Sequence, residues 1–287
     1  MRCFFTSDLH GSPERYRSLL AALEEELPDA LLIGGDLFSI HGSPAELVSE
    51  ILYPGLRRVA FRAERCGRPA PRILVILGND DPRVLEPLVL EAEAEGLLEY
   101  IHMKAVRLGP YTICGYSYVP PTPFLLKDWE RYDVSRYVDP GCVSPEEGRR
   151  SVPVESHITR HATMAQDLEE LTRNHDPRRT LLLFHSPPYA TKLDRAALDG
   201  RMIDHVPLDV HVGSIAIKRL IEIWQPRLTL HGHIHEAPRL TGVWRETLGK
   251  TVAICGCHDG PELSLVRFDP ERPGAATREL TAHGRCR

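Results

Sequence analysis

Short apolar runs alternate with amphipathic stretches along this chain. The runs are Cys3–Thr6, Ala30–Ile33, Ile73–Leu77, Tyr111–Cys114, Leu181–Phe184, Arg227–Leu230, Thr251–Ile254 and Leu263–Phe268. Most have the length and branched-residue content of buried strands. After the first run, Ser12 suits an N-cap and Pro13 the first helical position, and Tyr16, Leu19, Leu20, Leu23 and Leu27 recur at helical spacing. A second helix is expected over Pro44–Cys66, bent near Pro54 and Gly55. A third is expected to begin with Asp81 as its cap, with Pro87 as an interruption, and a fourth to cover Glu155–Asn174. A fifth starts at Ser214 and carries Ile217, Leu220, Ile221 and Trp224 on one side. Strand–helix alternation of this kind predicts an α/β sheet protein. Residues Tyr116–Val154 are rich in Pro and aromatic side chains and show no period. The polar tail after Asp269 is expected to pack loosely or fray.

Composition narrows the class. With 42% hydrophobic and 26% charged residues, the chain reads as a soluble globular protein. Its 287 residues permit one large α/β domain or two small ones. The net charge is −5 and no Lys/Arg block stands out, which argues against a nucleic-acid partner. A phosphate-bearing small molecule stays open, because metal ions supply positive charge locally. The N-terminus does not read as a signal peptide, and no apolar run reaches membrane-spanning length. Seven scattered cysteines fit a reduced, cytoplasmic protein. Cys255-x-Cys257 lacks a second pair and closes an apolar strand, so it is not read as a metal site.

The residues directly after these strands carry the chemistry. Cys3–Thr6 is followed by Asp8-Leu9-His10, Ala30–Ile33 by Gly34-Gly35-Asp36, and Ile73–Leu77 by Gly78-Asn79-Asp80-Asp81. Leu181–Phe184 is followed by His185, and Arg227–Leu230 by His231-Gly232-His233-Ile234-His235. In an open α/β sheet the carboxyl ends of the strands share one edge, where ligands bind. Carboxylate, amide and imidazole donors suit Mn, Fe or Zn, and less exclusively Mg. A carboxylate can bridge two cations about 3.5–4 Å apart, which together activate water and neutralise a phosphoryl group. Any one of these residues alone reads as a cap or turn; the ordered set does not.

The ordered blocks Asp8-x-His10, Gly35-Asp36, Gly78-Asn79, His185 and Gly232-His233-x-His235 resemble the calcineurin-like metallophosphoesterase superfamily, over residues 8–235. Gly-Asn-Asp-Asp before Pro82, and His-Gly-His-Ile-His-Glu, resemble its bacterial branch of Icc-related predicted phosphoesterases. The resemblance implies a sandwich of two mixed β-sheets flanked by α-helices. The chain is read as a single domain over 1–287, with the aperiodic 116–154 as a loop or cap insertion and 269–287 as a polar tail. The resemblance also implies two divalent cations, with Mn²⁺ preferred and Fe, Zn, Mg or Ni as alternatives. Asp8, His10, Asp36 and His235 would hold the first, and Asp36, Asn79, His185 and His233 the second. A hydroxide between them would attack phosphorus in line with the leaving group. The expected activity is hydrolysis of small phosphate esters, diesters or activated esters before monoesters. The alternative is a catalytically weak or inactive binding protein on the same fold. A homo-oligomer is left open.

One position departs from the family pattern. Asp80 stands where the family's proton-donating His would be. Cations nearby favour its charged form, which makes it a poor acid. His41, His205, His211 and His258 are alternative donors by residue type. Two further segments have two readings each. Tyr118, Phe124, Trp129, Arg131 and Tyr132 either form a wall over the metals or pack as a long loop or dimer contact. His211–Ser214 either presents amides to an anion or is simply capped by Ser214.

Overall fold

A computed structural model describes residues 1–38 and 43–281. In chain order the strands are β1 (Cys3–Thr6), β2 (Ala30–Gly34), β3 (Arg72–Ile76), β4 (Glu99–Tyr100), β5 (Ala105–Leu108), β6 (Tyr111–Tyr116) and β7 (Thr180–Phe184). They continue with β8 (Met202–Ile203), β9 (Val206–Pro207), β10 (Leu228–His231), β11 (Arg245–Leu248), β12 (Thr251–Cys255), β13 (Leu263–Phe268) and β14 (Thr277–Thr281). They form two mixed six-stranded sheets, in the orders β14-β13-β1-β2-β3-β4 and β11-β12-β10-β7-β6-β5, and a small β8-β9 hairpin. β1, β2 and β3 run parallel, as do β6, β7, β10 and β12. Their carboxyl ends therefore share an edge within each sheet.

Alternation along the strands sorts side chains into layers. Cys3, Phe5, Leu32, Leu74 and Ile76 of the first sheet cluster with Leu181, Leu183, Leu228, Leu230 and Ile254 of the second. This is the core between the sheets. Phe4, Leu31, Ile33 and Val75 point the other way, with Tyr16, Leu19 and Leu23 of the helix Pro13–Glu26 and Leu52, Leu56 and Val59 of the next helical run. On the second sheet, Leu182 and Phe184 belong to the same outer cluster as Ile217 and Ile221 of the helix Ile215–Trp224.

The helical run from Pro44 is continuous but changes pitch. Pro44–Glu46 is α, Leu47–Leu52 is π, and Tyr53–Arg65 is α again. Pro54 has no N–H, and its ring clashes with the carbonyl four residues back, so a wider turn ahead of it relieves the helix. Gly55 sits on Leu20, where a Cβ would fall 2.3 Å from Leu20 Cδ1.

Four expectations need correction. Asp81 does not cap a helix: Arg83–Leu85 is a 3₁₀ turn and the α-helix is Glu86–Ala94, with Pro87 in its first turn rather than interrupting it. Glu155–Asn174 is two helices, Ser156–His161 and Met164–Thr172, because Thr163 and Gln166 form a capping box that starts the second. The tail is not loose throughout, since Thr277–Thr281 pairs antiparallel with β13 and forms the sheet edge. The segment 117–154 carries no helix or strand, yet Tyr118, Trp129 and Tyr132 are interior. Trp129 is fully buried and its Nε1–H donates to the Asp81 carbonyl at 2.8 Å. Tyr118 and Tyr132 are buried too, and Arg131 pairs with Asp167. Of the proposed wall, only Phe124 is strongly exposed, at 59%. No helix among the described residues is long and apolar enough to cross a membrane.

Candidate metal centre

The loops after β1, β2, β3, β7 and β10 bring their polar residues together. Asp8, His10, Asp36 and His235 each offer a donor atom, and these atoms lie within 4.8 Å of one another. His10 Nε2 and His235 Nε2 face each other at 2.9 Å, and His235 Nε2 is 3.1 Å from Asp8 Oδ1. His185 Nε2 lies 3.2 Å from Asp36 Oδ2 and 3.0 Å from Asn79 Oδ1. His185 Nδ1 donates to the Gly34 carbonyl at 2.7 Å, which turns Nε2 toward Asp36 and Asn79 as the nitrogen that would ligate. The His233 ring is 5.2 Å from the His185 ring, and its backbone N–H donates to Asp8 Oδ1 at 3.0 Å.

The backbone here is unusual. Asp8, His10, Asp36 and His233 all adopt positive φ, at 58°, 46°, 52° and 78°. Non-glycine residues in this region carry a conformational cost and cluster at functional sites. Gly78 leaves no room for a side chain without displacing Asp36: a Cβ would lie 2.3 Å from Asp36 Oδ1. A Cβ on Gly232 would lie 2.8 Å from Asp8 Oδ2.

The charges suit a cation. Burial opposes ionisation of Asp8, but His235, with His185 and His10, holds its carboxyl well below the usual range. Burial likewise opposes ionisation of Asp36, and the adjacent His185 holds it down. Burial works against a proton on His185, yet Asp36 raises its pKa to about 10. His235 is raised to about 9 by Asp8 against the same burial. Burial and the neighbouring His185 push His233 down to about 3. Two buried carboxylates thus draw positive charge onto the imidazoles beside them. The oxygen and nitrogen donors, the facing His10 and His235 nitrogens and the glycine cradle all fit divalent cations in that place.

Asp80 lies at the rim, with 45% of its side chain exposed and Oδ2 3.6 Å from His10 Nδ1. Burial and Asp36 push its carboxyl above the usual range. Cations in the site would act in the opposite sense.

Four supporting groups were not legible as such. Asp81 is fully buried and accepts from the amides of Leu37, Phe38 and Gly78, tying the β2 and β3 loops together. The Cys257 thiol donates to Asp8 Oδ2 at 3.1 Å. Cys257 follows β12, so the strand-end signal that marked His185 was available for it. The Arg15 guanidinium donates to the carbonyls of Asp8 and Gly260. Asp133 accepts from Ser214 Oγ and from the amides of Ile215 and Ala216 at 2.6, 2.6 and 3.1 Å. The helix start after His211 therefore already holds an anion of the chain itself, besides its Ser214 cap. Of the alternative proton donors, His205 is exposed in the β8–β9 turn and His258 Nε2 lies 3.0 Å from Glu262 Oε2. His211 Nδ1 lies 2.8 Å from Asp194 Oδ1, and His41 lies outside the described residues.

A family model of calcineurin-like phosphoesterases matches residues 1–237. The chain belongs to that family. Among solved structures, TT1561 of Thermus thermophilus is 16% identical, with a TM-score of 0.56 over 98% of both chains. A dimetal phosphatase from Danio rerio is 12% identical, with a TM-score of 0.50 over 99% of this chain and 96% of its own. At these identities the likeness is one of fold. No curated protein matches the sequence. The two flanked mixed sheets are thus the architecture of a calcineurin-like phosphoesterase, and the strand-end cluster sits in that frame.

Proposed function

We propose that the protein hydrolyses small phosphate esters, diesters or activated esters before monoesters, using two divalent cations, with Mn²⁺ preferred. Asp8, His10, Asp36 and His235 would hold one cation, and Asp36, Asn79, His185 and His233 the other, with Asp36 shared. The carrying observation is the Asp8–His10–Asp36–His235 group, whose donor atoms lie within 4.8 Å of one another. Bound there, the cations would acidify water and neutralise phosphoryl charge. The chain's own work is positional. His185 is oriented by the Gly34 carbonyl, and Asp8 is set by the amide of His233 and the thiol of Cys257. Buried Asp81 holds the two loops that carry Asp36 and Asn79 in register. The chain is read as a single catalytic unit in the cytoplasm, with 116–154 packed against it.

The test combines metal analysis with hydrolysis of bis(p-nitrophenyl) phosphate and p-nitrophenyl phosphate in added Mn²⁺. The expected outcome is two metals per chain and faster turnover of the diester. Asp36→Ala should lose both metals and all activity. Full metal content in that variant would sink the shared-ligand assignment, and no turnover of either ester would sink the activity.

A further inference from the structure

The segment between β7 and the helix Ile215–Trp224, which begins with His185, builds a second polar constellation. Its middle is Asp194, fully buried. The carboxylate accepts from the amides of Ala190, Thr191 and Gly213 at 2.9, 2.9 and 3.2 Å. Thr191 Oγ1 also donates to it at 3.5 Å, and its fifth partner is His211 Nδ1 at 2.8 Å. The backbone secures the pair: Ala196 N–H donates to Val210 O, and Val212 N–H to Asp194 O, across a short antiparallel bridge. Gly213 permits this closeness, since a Cβ would fall 2.7 Å from the Pro187 carbonyl and 2.8 Å from Asp194 Cβ.

A buried carboxylate with five donors is a costly way to stiffen a loop. What it achieves here is a fixed imidazole. The carboxylate accepts a hydrogen bond from Nδ1–H, which sets the ring and leaves Nε2 as the outward nitrogen. His211 is 32% exposed while Asp194 is sealed. The other groups around it are spoken for: Asp209 accepts from Tyr189 Oη and from the His211 amide, and Arg195 pairs with Asp199.

The pair is anchored to the metal centre from two sides. Ser214 N–H donates to Pro187 O, and Tyr189 N–H to Ser214 O, in the loop after β7 that carries His185. His211 is three residues from Ser214, a reach of at most about 11 Å. On the other side Leu193 clusters with Cys255 and Cys257, and the Cys257 thiol touches Asp8.

Ester hydrolysis needs a proton for a poor leaving group. His10, His185, His233 and His235 are committed to the cluster, and Asp80 is a carboxylate at its rim. We propose that His211, oriented by Asp194, is the general acid that protonates the leaving oxygen. The proposal rests on the phosphoesterase reading of the metal centre. Water supplies the new P–O bond, and the P–O bond to the alcohol breaks with its electron pair on the alcohol oxygen. The protonated His211 gives that oxygen its Nε2 proton. The proton released by water restores the imidazolium.

The experiment is a leaving-group series of phosphodiesters, from p-nitrophenyl through phenyl to alkyl, on the Mn²⁺-loaded full chain. His211→Asn should lower the rate by about 10²–10⁴-fold for basic leaving groups and far less for p-nitrophenyl, which steepens the dependence on leaving-group basicity. Added imidazole should restore part of the loss in His211→Ala. Asp194→Asn should show the same selective loss, and His211→Asn controls for any folding defect there because its side chain is partly exposed. An equal loss across the series, with no rescue, would show a structural role and overturn the proposal. So would unchanged rates. Wild-type protein that turns over no member of the series would overturn the phosphoesterase reading itself, and the proposal with it.

Discussion

Gly78 and Asp81 show how narrowly single residues constrain the site. A methyl on Gly78 would lie within 2.6 Å of Asp36 N and closer still to its Oδ1. Gly78→Ala should therefore strip metal from a chain that still folds, read by metal content against far-ultraviolet circular dichroism. Asp81 serves three amides with two carboxylate oxygens. Burial and the nearby Asp36 push its pKa to about 7, a stress its amide bonds oppose. Asn in its place has one oxygen, and its NH₂ would face an N–H. Asp81→Asn should cost about 1–3 kcal/mol in urea unfolding and weaken metal retention. Stability within experimental error of wild type would count against this role. Asp80 poses a different question. If it only borders the site, Asp80→His should raise rates for basic leaving groups selectively; a loss across the series would mean that the carboxylate itself is needed.

Among the elements, the helix Ile215–Trp224 depends on a residue far from it in sequence. Asp133 satisfies two of its first amides and the Ser214 hydroxyl. A carboxylate at a helix N-terminus also meets the positive end of the helix dipole. Asp133→Ala should lower the melting temperature, at a cost of about 1–3 kcal/mol, and leave metal content intact. An unchanged melting temperature would mean that Ser214 suffices alone. The same contact explains the segment 117–154. Its buried Trp129, its Arg131–Asp167 pair and Asp133 fasten it to neighbouring elements. Replacing Trp129 should thus act on stability before it acts on substrate choice.

For the whole molecule, buried histidines set the response to acid. His102 lies among Tyr100, Tyr116, Tyr118 and Trp129, and its Nδ1 accepts the Ser117 N–H at 3.1 Å. Burial, aided by Arg131, pushes its pKa down to about 3. In the unfolded chain it titrates near about 6.5. Between those values the unfolded state binds the proton and the native state does not, so stability falls as the pH drops through that window. This residue should contribute a slope of up to about 1.4 kcal/mol per pH unit. His102→Gln keeps an acceptor for Ser117 and should flatten the acid limb of a urea-midpoint profile. A variant with the wild-type slope would remove His102 from the explanation.

The sequence by itself determined eight of the strands and the residues at their ends. Cys3–Thr6 and Leu263–Phe268 are strands over the bounds their apolar pattern predicts, and Ser12 and Ser214 cap the helices they precede. These features are short-range: a side chain's period or a cap's reach spans only a few residues. Since a strand's end carries the next residues of the chain with it, the order Asp8, His10, Asp36, Asn79, His185, His233 and His235 was readable too. Tertiary structure decided the partners. That Asp81 would serve two loops instead of a helix, that Thr277–Thr281 would find an edge on β13, and that Cys257 would meet Asp8 depend on groups far apart in the chain. So does the pairing of His211 with Asp194, because the loop must close before either side chain has a neighbour. A hydrogen bond across such a separation leaves no local period or composition. It exists only once the sheets have fixed where each loop begins.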